Sequence, residues 1–460
     1  MSERSHAPDS VRLRSRRDFC AQLLGSSATL LLAACAQGSP SGSPTQAPAA
    51  KPAPAGAVGV APTEAPKPVA TSAPATAAQP TVAPTAAPAT AAASSGTLKL
   101  GVLLPYSKVY ATLGESITNG MQVYFDSIGG VSAGRTIEMV KEDEENDPPT
   151  ATRKHRKLVE QDQVDLTTGI VSTAVLYAIR DYAHENKALL VCSNAGGDAL
   201  AGKQKSPYIF RSSFANSQPS LPMGQYVYDK IAKRVVTCAA DYGAGRESMG
   251  AFKEGFTRAG GSVVAEVWPP FPNTDYAAFL EQVRQARPEA VYCFFAGSDA
   301  VNFVKQFDEF GLKKDIKLTG SGFMLEEDVF PAQGAAAIGG ITGLHYATTL
   351  ENPVNAKFKD EYTRKFGKPA DVYAVQGWDT AKFIDESLKK VRGNTTDKDA
   401  LIKAMEGIAF DSPRGPWKMD AETHNPVFNV YAREVRMEGG KPTNFVIETF
   451  KDVRFVPPPG

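Results

Sequence analysis

From Thr97 onward, short apolar runs alternate with stretches whose apolar residues recur at helical spacing. Runs at 98–104, 136–140, 164–170 and 188–192 read as strands, with helical patterns over 116–128, 150–161 and 172–183 between them. In the last of these, Val175, Leu176, Ile179 and Tyr182 share one face of a 3.6-residue period. The alternation then restarts, with strands at 235–239, 262–267, 290–295 and 316–319. Tyr276, Phe279, Leu280 and Val283 form one helical stripe between them, and Phe303, Phe307 and Phe310 form another; both are expected in the core. Strand–helix alternation predicts parallel sheets with helices on both faces, and two successive sets predict two such domains.

Upstream of residue 97 the pattern changes. Ser15-Arg16-Arg17-Asp18-Phe19 precedes an apolar run, Ala21 to Ala34, that is too short to span a bilayer and ends in small residues. That is the pattern of an export signal over 1–35. Cys35 directly follows Leu32-Ala33-Ala34, which resembles a bacterial lipobox. The resemblance implies that the Cys35 thiol is lipidated and becomes the new N-terminus. The Arg16-Arg17 pair also resembles a twin-arginine signal, the alternative being an ordinary secretory leader that contains two arginines. Residues 36–96 are Ala, Pro, Ser, Thr and Gly with almost no charge. Such a segment buries too little surface to offset the entropy of ordering, and its prolines favour an extended spacer.

Roughly 360 residues remain, more than one core usually serves. Lys+Arg and Asp+Glu both number 50, and losing the arginine-rich leader leaves the rest slightly acidic. Nothing in that balance points to nucleic acid. Cys192, Cys238 and Cys293 sit in strand-like runs and are expected as buried free thiols; two on neighbouring strands could pair, but three cannot. No Cys or His spacing supports a metal site, and no cofactor fingerprint is present. The run Glu142 to Asp147 lacks the glycine turn and distal acid of a calcium loop and reads as a solvated acidic loop.

Open parallel sheets bind ligands beyond the carboxyl ends of their strands, near helix N-termini. That rule singles out Gly169 to Thr173, where a strand ends and a helix starts on Ser172 or Thr173. Free N–H groups and a hydroxyl there suit an anion, or else Ser/Thr simply caps the helix.

Several segments, in order, together resemble the leucine/isoleucine/valine-binding group, the periplasmic-type solute-binding proteins of branched-chain amino acid ABC transporters. They are Lys99 to Pro105, Glu142-Asp143 with Asn146-Asp147-Pro148, Val164 to Thr173, Leu190 to Asp198, Asp241-Tyr242-Gly243, Phe307 to Leu312, Tyr373 to Gln376, and Arg414-Gly415-Pro416. The resemblance implies an α/β fold of two doubly wound parallel-sheet lobes joined by a three-segment hinge, the type I periplasmic-binding-protein architecture. It implies lobe 1 over 97–213 and 346–426 and lobe 2 over 214–345 and 427–460. It further implies a non-enzymatic, monomeric, extracytoplasmic protein that captures a branched-chain amino acid or related small carboxylate and delivers it to a membrane permease. Alternatives are an aromatic or other non-amino carboxylate as ligand, or a role as a sensing module.

By the same resemblance, Ser172 and Thr173 hold the ligand carboxylate, Asn194, Ala195 and Gly196 face its head group, and Tyr242 covers it. One departure matters. Amino-acid binders place an acid for the ammonium after the strand at 316–319, whereas this chain has Gly322 at the corresponding place, followed by Phe323. Glu326, Glu327 and Asp299 are nearby acids with unmatched spacing. A buried ammonium without a counter-charge costs several kcal/mol, which favours a ligand lacking it. Phe323, Phe295 and Tyr242 would suit an aromatic or apolar body.

Overall fold

The computed structural model describes residues 95–457. The export signal, the lipidation residue Cys35 and almost all of the linker lie outside the described residues.

The first sheet is built around β1 (Gly96–Leu104), in which Leu98, Leu100 and Val102 to Leu104 are fully buried. A continuous apolar strand of this kind has helices on both faces. α1 (Ala111–Ser127) follows it, then the short β2 (Val131–Ser132) and β3 (Arg135–Asp143). α2 (Pro148–Glu160) starts where Asp147 accepts a hydrogen bond from Thr150 N, with Pro148 in its first turn. β4 (Leu166–Gly169), α3 (Thr173–Glu185), β5 (Leu190–Cys192) and β6 (Ile209–Arg211) complete the set. The strand order is β2-β3-β1-β4-β5-β6, parallel throughout except for β2 against β3.

α4 (Ser217–Lys230) leads into the second sheet. There β7 (Arg234–Ala239), α5 (Gly243–Arg258), β8 (Ser262–Val267), α6 (Ala277–Ala286) and β9 (Ala290–Phe294) repeat the alternation. α7 (Gly297–Glu309), β10 (Lys317–Ser321), the one-turn α8 (Phe330–Gln333) and β11 (Ile341–Leu344) follow. Three helices come next: α9 (Pro353–Phe366), α10 (Val372–Lys390) and α11 (Lys398–Glu406). The chain ends in antiparallel strands β12 (Ala409–Ser412), β13 (Gly415–Asp420), β14 (Asn425–Glu438) and β15 (Lys441–Val453). The second sheet runs β12-β13-β14-β11-β10-β9-β7-β8, with β15 also on β14. Both sheets are therefore mixed rather than purely parallel. The long C-terminal hairpin carried no strand–helix alternation by which to be foreseen.

α10 is buried along most of its length and crosses α1 at close range. A Cβ on Gly120 would lie 1.9 Å from Ala374 O, and one on Gly377 would lie 2.0 Å from Ile117 O, so only glycine allows this approach. The aromatic stripes pack largely as expected, with Phe279 half-buried at the edge of the core and Phe310 outside it. Phe303 and Phe307 are buried, but Phe310 is 39% exposed because α7 ends at Glu309 and the next residue leaves its face. Cys192, Cys238 and Cys293 are buried free thiols.

The strands up to β6 lie in the first sheet and the later ones in the second, and two buried arginines tie together the segments around the expected boundaries. Arg414 Nε donates to Asp379 Oδ2 at 2.7 Å, while its Nη1 and Nη2 donate to Ser213 O and Ser212 O. Arg433 Nη1 donates to Glu326 Oε2 at 2.8 Å and to Tyr346 O at 2.7 Å. The expected lobe boundaries at 213, 345 and 426 fall after β6, after β11 and at the start of β14.

Candidate ligand-binding site

A cavity opens where α1, α3, α5, α7 and α10 all begin. Tyr110 precedes α1, Thr173 opens α3, Tyr242 precedes α5, Ala296 precedes α7, and Tyr373 lies in the first turn of α10. At α3, α5 and α7 no side chain caps the first N–H groups, whereas α1 continues a 3-10 turn over Lys108–Tyr110 and its Ala111 N donates to Lys108 O. Uncapped helix starts carry partial positive charge, and several pointing at one space favour an anion. Among the described residues, no charged side chain lines that space.

The walls are aromatic. Phe214, Phe294 and Phe323 line the cavity with Tyr110, Tyr242 and Tyr373. Phe214 and Phe323 have ring centroids 5.0 Å apart, and Phe323 stacks on Tyr373 at 5.9 Å. Tyr242 stacks on Phe271 at 4.5 Å, and its hydroxyl meets that of Tyr110 at 2.9 Å. That bond joins the helix after β1 to the helix after β7, one from each sheet. Burial pushes all three tyrosine hydroxyls well above their usual range, so they stay protonated. The Tyr373 hydroxyl has no partner among the described residues.

Three polar side chains complete the lining. Asn216 Nδ2 donates to Thr173 Oγ1 at 3.2 Å and to Glu247 Oε2 at 2.7 Å, which fixes the threonine from behind. Asn194 Nδ2 donates to Gln376 Oε1 at 2.6 Å. The free space left between these walls is about 20 Å³, room for a water molecule, so an aromatic ring enters only when the walls part.

Of the residues singled out in the sequence, Thr173, Asn194, Gly196, Tyr242 and Phe323 line the cavity. Ser172 is the residue before α3, but its side chain makes no capping bond. Ala195 turns into the core, its N–H bonded to Ile170 O. Gly322 faces away from the cavity: a Cβ there would lie 2.4 Å from both Arg433 Nη2 and Leu344 Cβ. No acid fits at 322. The neighbouring acids are committed elsewhere. Glu326 holds Arg433 and Val372 N, Glu327 accepts from Thr348, and Asp299 accepts from Asn273 N. Phe295 is also displaced. It stacks on Phe303 in the core at 4.4 Å, and Phe294 lines the cavity instead, because successive strand residues face opposite sides. Tyr110, Phe214, Asn216 and Tyr373 were not foreseen; the rule that ligands meet helix starts would have flagged Tyr110 and Tyr373.

The acidic run 142–147 is not simply a solvated loop. Glu144 is fully buried, and its Oε1 accepts from Val171 N at 3.2 Å and Ser172 N at 3.3 Å. The chain's own carboxyl thus takes two of the N–H groups expected to await a ligand. Burial raises that carboxyl from 4.5 to about 8 against the lowering effect of the two N–H groups.

Two α/β halves around a cavity with no charged side chain in its lining define a two-lobed binding protein. The chain belongs to the periplasmic binding protein family, whose model matches residues 97–441. The Leu/Ile/Val-binding protein homolog 6 of Brucella melitensis biotype 1 is 30% identical over 365 residues, 78% of this chain and 93% of that one. A solute-binding protein of an ABC transporter from R. palustris, solved in complex with benzoate, is 38% identical with a TM-score of 0.73, covering 78% of this chain and 98% of that one. A second, from Rhodopseudomonas palustris BisB5 in complex with 3,4-dihydroxy benzoic acid, is 33% identical with a TM-score of 0.75 and the same coverage. Membership of this family places the protein outside the cytoplasm.

Proposed function

We propose that this protein is the solute-binding component of an ABC importer and that its ligand is a small aromatic carboxylate of the benzoate class. One observation carries the reading: a cavity lined by aromatic rings and helix starts with no charged side chain. The carboxylate is held by Thr173 and the uncapped N–H groups, and the ring packs between Tyr242, Phe294 and Phe323. The similar proteins crystallised with benzoate and with 3,4-dihydroxybenzoate support the same class. Leucine fits less well. Its ammonium would be buried with no carboxylate in the lining, which costs several kcal/mol.

The ligand bridges groups from both halves, as the Tyr110–Tyr242 contact does, so binding favours the closed form and hands a closed complex to the permease. The protein acts as a carrier and not as an enzyme. Calorimetric titration with benzoate, 4-hydroxybenzoate, 4-methylpentanoate and leucine tests the ligand class. Benzoates are expected to bind and leucine to bind at least tenfold more weakly; tight leucine binding without response to any simple acid overturns the reading. Lipidation at Cys35 belongs to the same proposal, since a tether keeps a carrier beside its permease. Cys35→Ala is expected to abolish membrane association.

A further inference from the structure

Asn194 does not stand alone at the cavity wall. Behind it, Gln376 Oε1 accepts from Asn194 Nδ2 at 2.6 Å, and Gln376 Nε2 meets His345 Nε2 at 3.1 Å. Gln376 and His345 are fully buried and Asn194 is 5% exposed. His345 Nδ1 has no partner among the described residues; the ring lies among Phe214 at 5.3 Å, Phe428 at 5.3 Å and Phe323 at 6.2 Å. Phe214 and Phe323 also line the cavity, so the histidine ring sits directly behind its wall. Burial, then the nearby Arg414 and Arg433, holds His345 far below its usual range, so it is neutral.

A neutral histidine has two tautomers, and an amide is nearly the same shape when turned over. The chain of contacts is therefore satisfied in two senses. With the proton on Nδ1, Gln376 donates to His345 Nε2, Asn194 donates to Gln376, and Asn194 Oδ1 is left for the cavity. With the proton on Nε2, both amides turn, His345 donates, and Asn194 Nδ2 is left for the cavity. His345 Nδ1 lacks a partner among the described residues either way; a buried N–H without a partner costs more than a bare acceptor, so the ligand-free protein favours the proton on Nε2, and a ligand has to draw it to Nδ1.

We propose that Asn194 is a specificity-determining residue that reads the polar substituent on the ligand ring, and that Gln376 and His345 are positioning residues that let it switch between acceptor and donor. This rests on the aromatic-carboxylate reading above. The carboxylate takes the helix starts near Thr173, which leaves Asn194 to read whatever else the ring carries. A ring hydroxyl, a good donor, selects Oδ1 outward and the proton on His345 Nδ1. An unsubstituted ring selects neither sense.

The test uses ¹⁵N-histidine-labelled protein and two probes, benzoate and 3,4-dihydroxybenzoate. The dihydroxy acid is expected to drive His345 to the Nδ1–H tautomer, and benzoate is not. His345→Phe keeps the ring packing and removes both nitrogens. Buried carbonyls tolerate a missing partner better than buried N–H groups do, so Gln376 then turns Oε1 to the phenyl ring and locks Asn194 Nδ2 outward. That variant is expected to weaken 3,4-dihydroxybenzoate about tenfold, the worth of one hydrogen bond, and to leave benzoate unchanged. Equal weakening of both acids, or of neither, overturns the proposal. If the variant does not fold, the same tautomer in both wild-type complexes overturns it. If neither acid binds wild-type protein, the ligand class has failed, and the relay is judged on ligand-free protein: Asn194→Leu must shift the His345 tautomer, and no shift overturns it.

Discussion

The ligand cavity and the crossing between the two sheets lie close together and use opposite electrostatics. The crossing holds two fully buried ion pairs, Arg414–Asp379 and Arg433–Glu326. The cavity has no charged side chain in its lining and relies on helix starts, hydroxyls and amides. Buried formal charge is tolerable only where every hydrogen bond is already made within the chain. At the crossing nearly all of them are: Asp379 takes both Arg414 and the Ser412 hydroxyl, while Arg433 Nε is left without a partner among the described residues. In the cavity the partner arrives and leaves, so a fixed carboxylate or guanidinium would be stranded in each cycle. Neutral dipoles avoid that cost and still favour an anion.

The comparison can be broken hardest at the crossing. Asp379→Ala strands a buried guanidinium and is expected to destabilise the fold by about 3–5 kcal/mol in urea denaturation. Asp379→Leu combined with Arg414→Met should cost far less, because no unpaired charge remains. In the cavity the equivalent change spares the fold. Thr173→Ala is expected to weaken benzoate binding by about 1.5–3 kcal/mol in calorimetry, with little change in the denaturation midpoint.

Gly322→Asp tests whether an acid can be restored for an ammonium. Its Cβ collides with Leu344 and Arg433, so a loss of about 1–3 kcal/mol in stability is expected, with no gain in leucine affinity. The last test concerns Glu144, the carboxyl beneath the ligand loop. Its folded value of about 8 exceeds the ordinary 4.5, so the folded state keeps a proton that the unfolded chain has released. Its stabilising contribution is therefore full below pH 4.5 and is lost as pH rises to about 8. Glu144→Gln removes the titration. Relative to wild type, the variant should gain stability with rising pH across that window, by no more than about 1.4 kcal/mol per unit.

Local spacing along the chain determined the alternation of strands and helices, the restart near residue 235 and the loop ending in Thr173, because periodicity and strand-to-helix junctions are short-range properties. Thr173 was legible for the same reason; Asn194, Gly196 and Tyr242 were legible only through the resemblance to the leucine/isoleucine/valine-binding group, and Phe323 through the departure from it beside Gly322. Only the tertiary structure decided that Phe294 and not Phe295 faces the cavity, since that follows from how β9 is seated in its sheet. It also decided that Glu144 is buried against Val171 and Ser172, and that Gly322 turns toward Leu344. Tyr110, Phe214 and Tyr373 come from segments far apart in sequence, and His345 reaches Asn194 only through Gln376 on another helix. Such neighbours are set by how two sheets and their helices pack. No spacing along one chain encodes which side chains meet across that gap.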